Sequence, residues 1–216
     1  MIISNDRDWR RRPINGLLRL VVWALLASPI AVQGVPHVWQ GLGPDPALAV
    51  LKITGLWAML ALGVVLLLTP IQRFAAWPGL ASVRRLVGLW AFFYTALHAF
   101  GYVSFDQGFD AALIISDAME RPMIAVGWGA TGVMLWMAAT SNGYAIKRLG
   151  YPLWKSLHRW IYVAAVLAWL HLYWVHSGKH IWTDVLAFGV WFGVALSLRL
   201  IGIKRSPSSQ HRGPDA

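Results

Sequence analysis

Apolar residues along this chain gather into six long runs, at 17–35, 47–69, 86–105, 122–140, 157–175 and 181–201, each bounded by charge, proline or glycine. A helix needs about 20 apolar residues to cross a hydrocarbon core of about 30 Å. The pattern therefore predicts an all-α integral membrane protein, a six-helix transmembrane bundle. Breakers mark the connections: Gly41–Leu42–Gly43–Pro44–Asp45–Pro46, Pro70 and Pro78, Asn142–Gly143 and Pro152, and Gly178. All are short, so consecutive helices are expected to be antiparallel neighbours. Arg10–Arg11–Arg12 ahead of the first run imitates the basic start of a signal peptide. That run is nearly span-length and no A-x-A pattern closes it, so a retained helix is expected.

Composition strengthens this reading. Of 216 residues, 57% are hydrophobic and only 13% charged, against about a quarter charged in soluble chains. The expected organisation is a tail at 1–16, one membrane domain at 17–201, and a disordered tail at 202–216. The net charge of +10 would suggest nucleic acid in a soluble protein, but here it follows the membrane sides. Placing the N-terminus in the cytoplasm collects 16 of 19 basic residues on the inner side and leaves Lys52, Arg121 and Lys179 outside. Such a bias predicts both termini in the cytoplasm. Cysteine is absent, which excludes disulfides, iron–sulfur clusters and covalent haem attachment. Histidine becomes the leading ligand for any metal cofactor.

Ionisable groups inside a span are costly and mark candidate sites. His98 lies 12 residues into the third run and His171 lies 14 into the fifth. Those two helices run in the same direction, so both imidazoles are expected in the outer half at similar depth. Such a pair could supply both axial ligands of one b-type haem, leaving no open position for oxygen chemistry. His158 sits near the inner end of the fifth run, 13 residues before His171, or about 20 Å along the axis. A second haem could be held there. On an ideal helix, however, the two side chains stand about 140° apart, so either the helix is distorted or the two cofactors lie on different faces. The third helix offers no histidine at that inner depth. It offers Arg84 and Arg85, either as a positive-inside anchor or as partners of a haem propionate or flavin phosphate. His176 and His180 are four apart, yet Gly178 between them points to a solvated loop. His37 and His211 take no role.

These residues resemble the ferric-reductase-like transmembrane family. The matching stretches are Gly41–Leu42–Gly43–x–Asp45–Pro46, Thr69–Pro70 and Arg84–Arg85–Leu86–x–Gly88–Leu89–Trp90 leading to Leu97–His98. They continue with Arg121–Pro122, Trp154–x–x–Leu157–His158–x–x–x–Tyr162 and His171–x–x–Trp174. The resemblance implies a haem-binding inner-membrane subunit of a bacterial periplasmic protein-methionine-sulfoxide reductase system. Such a subunit passes electrons from the quinone pool, or from a cytoplasmic flavin reductase, to a periplasmic molybdopterin partner. It further implies that His98, His158 and His171 are the haem-linked positions and that FMN is carried. The chain departs from the family where Lys52 and Ile53 stand just before Thr54–Gly55, a place where a histidine is expected.

Two other functions compete. A self-contained ferric reductase or oxidase continues into flavin and nicotinamide domains, but no G-x-G-x-x-G stands here between a strand and a helix. A cytochrome b of this type serving another acceptor remains an alternative to the repair system. A metal transporter calls for broken helices or acidic residues within spans, and Asp184 at an end is the nearest approach to that.

Overall fold

The computed structural model describes residues 13–34, 45–74, 80–178 and 182–204, and among these it contains helices and no strand. Residues 1–12 and 205–216, the glycine-rich connection at 41–44, and His37, His180 and His211 lie outside the described residues, while helix takes in 13–16 and 202–204 of the expected tails. The helices are α1 (Pro13–Pro29), α2 (Pro46–Phe74), α3 (Leu80–Gly101), α4 (Ala111–Glu120), α5 (Pro122–Ala139), α6 (Gly143–Leu149), α7 (Tyr151–Leu157), α8 (Ile161–Ser177) and α9 (Thr183–Lys204). Wider π turns extend α1 over Ile30–Gly34 and α3 over Tyr102–Asp106. Four stretches are long and apolar enough to cross a membrane: Gly16–Gln33, Pro46–Gln72, Val83–Asp106 and Pro122–Ala139. The first four runs of the sequence correspond to these.

Helix starts follow the local chemistry. The Asp45 carboxylate accepts from the Leu48 N–H at 2.9 Å ahead of Pro46, pairing an N-cap with a proline that has no N–H to lose. Asn142 does the same for α6 through the Ala145 N–H at 2.8 Å. The packing puts α2 along α3, α5 along α8, and α9 against α2. Leu62, Leu66, Val87, Ala165, Phe192 and Ala195 meet in the main core. Ala61, Ala91 and Ala164 form a second, tighter contact. Small residues let membrane helices approach closely enough for dispersion contacts to hold them.

The structure corrects the sequence reading at Pro70, taken as a helix end. Helix α2 continues to Phe74. A proline cannot donate to the carbonyl four residues earlier, here that of Leu66, and Arg199 on α9 replaces the missing donor. Its Nε–H donates to the Leu66 carbonyl at 2.9 Å, and Nη2 donates to the Val65 carbonyl and Thr69 Oγ1, both at 3.0 Å. Nη1 donates to the Tyr162 hydroxyl at 3.0 Å, and the guanidinium lies 5.2 Å from the centre of that ring. Arg199 is only 4% exposed. Basic residues at span ends ordinarily reach water, whereas this one fastens α9 and α8 to the proline turn of α2. Arg199→Met is expected to cost about 2–3 kcal/mol, because four acceptors inside the bundle lose a charged donor. The check is the thermal midpoint of the detergent-solubilised protein. Arg199→Lys should recover only part, since one ammonium cannot span all four acceptors; a midpoint unchanged in Arg199→Met overturns the assignment.

The connections also hold more structure than expected. Helix α4 fills the link between the third and fourth runs, and α6 and α7 fill the next. At His158–Trp160 the chain tightens into a 3-10 turn before α8 begins. This turn changes the angular relation of the two histidines. Three steps of about 120° replace three of about 100°, and the angle between His158 and His171 falls from about 140° to about 80°.

Candidate haem site

His98 on α3 and His171 on α8 come together, with ring centres 6.0 Å apart and planes at 82°. Each ring is fixed by its other nitrogen. His98 Nδ1 lies 3.0 Å from the Leu51 carbonyl of α2, and His171 Nδ1 lies 2.7 Å from the Met123 carbonyl of α5. A carbonyl can only accept, so both Nδ1 atoms carry the proton and both Nε2 atoms keep a lone pair for a metal. Hydrogen bonds of this kind set the tautomer and orientation of ligating histidines.

The same local device holds both rings. Four residues after each accepting carbonyl stands a glycine, Gly55 after Leu51 and Gly127 after Met123. A methyl group built at Gly55 would meet His98 Cε1 and Nδ1 at 3.1 Å, and one at Gly127 would meet His171 Nδ1 at 2.9 Å. Each imidazole thus lies against bare helix backbone in a space that a Cβ would close. The spacing Gly127–x–Gly129–x–x–Gly132 falls wholly within α5. It is no dinucleotide loop, and its first glycine serves the His171 ring.

The residues fit a haem iron. A ligating imidazole nitrogen sits about 2 Å from a first-row metal and its ring centre about 1 Å farther, so two rings across one metal have centres about 6 Å apart. The measured separation matches. Groups of three or more His, Asp or Glu side chains able to hold a bare metal ion are absent among the described residues, so the pair suits a macrocycle that supplies the remaining ligands.

His158 is placed apart from this pair. Its Nδ1 donates to the Trp154 carbonyl at 3.1 Å, Nε2 lies 3.2 Å from Ser141 Oγ, and the ring packs on Trp154 with centres 4.1 Å apart. Ser141 Oγ also lies 2.6 Å from the Met137 carbonyl, so its single proton serves one of two acceptors. Arg84 and Arg85 are exposed at the start of α3, and the Arg84 charge acts on the His158 ring. His176 lies within α8 with Nδ1 donating to the Leu172 carbonyl, and its Nε2 stands 3.8 Å from Asp184 Oδ2.

Sequence reasoning found the histidines and missed the glycines and carbonyls that aim them. A signal was present, since a glycine inside an apolar helix costs about 1 kcal/mol relative to alanine and asks for a packing reason.

Comparison with known proteins gives the site a context. The family described as "Ferric reductase like transmembrane component" matches residues 54–169, a segment that contains His98 and His158. A protein of Ralstonia nicotianae named "Protein-methionine-sulfoxide reductase heme-binding subunit MsrQ" is 36% identical over 183 residues, 85% of this chain and 84% of that protein. Proteins of the same name from Herminiimonas arsenicoxydans and Bordetella pertussis are 38% and 37% identical, over 85% and 87% of this chain and 84% and 85% of theirs. No solved structure matches the chain.

Proposed function

The chain belongs to the ferric-reductase-like transmembrane family, and we propose that it is the haem b-binding, electron-transferring subunit of a methionine-sulfoxide reductase system. The observation that carries this reading is the His98–His171 pair, with both Nδ1 protons committed to backbone carbonyls. Bound there, haem b supplies an iron that accepts and gives up one electron at a time. The protein's part is to hold and insulate. His98 and His171 would hold the iron through their Nε2 atoms, and two imidazole ligands would favour electron transfer over oxygen binding. Leu51 and Met123 keep each ring in the ligating tautomer. The apolar surroundings shed water, which keeps reorganisation small.

In this reading the chain crosses the bacterial inner membrane six times, with 17–201 as the membrane domain and both tails cytoplasmic. Helix α8 has 17 residues, and α9 carries Asp184 and Arg199. Two considerations support counting them as crossings: Arg199 is satisfied inside the bundle, and six crossings from a cytoplasmic N-terminus would put 16 of 19 basic residues on one side. The chain takes electrons from quinol or a cytoplasmic flavin reductase. It delivers them to a periplasmic molybdopterin reductase that repairs oxidised envelope proteins. His158 holds a second haem, or borders an FMN, with Arg84 and Arg85 facing a propionate or the flavin phosphate.

The direct test is the reduced-minus-oxidised absorbance spectrum of the purified protein. A b-type haem signal is expected, and its absence sinks the reading. His158→Ala is expected to change one haem or the flavin and leave the His98–His171 haem in place. The check is the haem-to-protein ratio together with bound flavin. Loss of all haem from a normally inserted variant would refute the division into two sites.

A further inference from the structure

Helix α4 has its polarity turned inside out. Its one buried residue is an acid, Asp117, 7% exposed. The Asp117 carboxylate accepts from the Tyr102 hydroxyl at 2.6 Å and from Gln107 Nε2 at 3.3 Å, and it pairs with Arg121 Nε at 2.5 Å. Its two most exposed apolar side chains point the other way, while Leu113 and Ile114 stand within about 60° of Asp117. At about 100° per residue, Ala112, Ile115 and Met119 lie opposite Asp117, and Ile115 and Met119 are 63% and 83% exposed. A water-facing helix buries its apolar stripe and solvates its acids. This one does the reverse, as lipid requires.

The position of α4 identifies what covers that face. It links the end of one membrane stretch, Val83–Asp106, to the start of another, Pro122–Ala139, so both its ends stand at one face of the membrane. Ten residues span about 15 Å, too short to cross, which leaves a course along the membrane surface. Its apolar side is also continuous with the span before it. Phe109 packs edge-on against Phe100 of α3 with ring centres 5.9 Å apart, and the two are 63% and 58% exposed. Phe109 holds this place at φ +64°, a conformation uncommon for a bulky side chain.

We infer that α4 is an interfacial helix, lying along the membrane face where α3 ends and α5 begins, with Ile115 and Met119 in the acyl layer and Asp117 turned into the protein. Such helices sink their apolar face about 5–10 Å below the headgroup boundary. The Asp117–Tyr102 bond then fastens this anchored helix to α3 one turn beyond His98. The inference stands on the membrane alone and does not depend on haem.

Because the chain has no cysteine, single nitroxide labels can be placed at Ile115→Cys, Met119→Cys and Ser116→Cys, all exposed positions. The labelled proteins are reconstituted in phosphatidylethanolamine–phosphatidylglycerol vesicles and probed with molecular oxygen and a neutral nickel chelate. Labels at 115 and 119 are expected to collide several-fold more with oxygen than with nickel, relative to the label at 116. Nickel-dominated collision at 115 and 119 places the face in water and overturns the inference. Protection from both reagents means that a second copy or another protein covers it, and overturns it equally. A parallel set in detergent micelles, compared for helicity with the unlabelled protein, excludes misfolding as the source of either result.

Discussion

His171→Ala and His98→Ala are each expected to abolish the b-type haem that their pair holds, while leaving the protein inserted and helical. Each histidine would supply one ligand nitrogen, and neither has a ready substitute: His158 sits about 20 Å from His171 along the axis, and His176, five residues on, has Nδ1 on the Leu172 carbonyl and Nε2 towards Asp184. Removing one ring would leave a single imidazole to hold the haem, still aimed by its carbonyl at 3.0 or 2.7 Å. The measurement is the haem-to-protein ratio and the reduced-minus-oxidised spectrum of the detergent-purified variants. If two haems are present, the ratio should fall by one in both variants. His176→Ala serves as the comparison. That histidine is on the same helix, but its ring is held by Leu172 and faces Asp184, so its removal should leave the ratio unchanged. Full haem content in both His98→Ala and His171→Ala would remove the central claim.

What could be read from the sequence, and what could not, divides by the range of the interactions involved. The membrane character and the first four spans come from runs of neighbouring residues, so counting recovers them. The depth match of His98 and His171 follows from the same counting, and the two rings do meet. Pro70 was misread because whether a proline ends a helix depends on who satisfies the freed carbonyl. That donor, Arg199, is 133 residues from Leu66. Local charge statistics likewise assign Arg199 to the membrane edge, when three helices bury it. Helix α4 escaped notice because its apolar and acidic residues, read without a partner, look like an ordinary polar connection. The 3-10 turn at His158–Trp160 is not legible in the sequence, since such turns leave little trace in composition.

Gly127→Ala is expected to loosen the haem as strongly as losing the hydrogen bond that orients a ligating histidine does, about 10–100-fold in affinity, while leaving the helix as stable as before or more so. The new methyl group would stand 2.9 Å from His171 Nδ1, closer than ordinary contact permits. The ring is not a loose end that can swing aside, because that same Nδ1 donates to Met123 at 2.7 Å. Either the hydrogen bond breaks, and the ring loses its tautomer and aim, or α5 and α8 move apart and the ring leaves its partner. Alanine in place of glycine otherwise favours a helix by about 1 kcal/mol, so a fall in haem content with an unchanged or raised thermal midpoint separates mis-aiming from misfolding. Gly129→Ala is the internal comparison: on the same helix its methyl would meet Leu167 Cδ1 at 3.5 Å, an ordinary contact, and the haem should stay. Gly55→Ala should fall between them, with two ring atoms of His98 at 3.1 Å and a longer hydrogen bond, 3.0 Å, to give way. The measurement is a haem titration of the apoprotein by absorbance, and the expected order of affinity is wild type and Gly129→Ala, then Gly55→Ala, then Gly127→Ala. Equal affinity across the series would mean that the two rings are not held against helix backbone as the geometry has them.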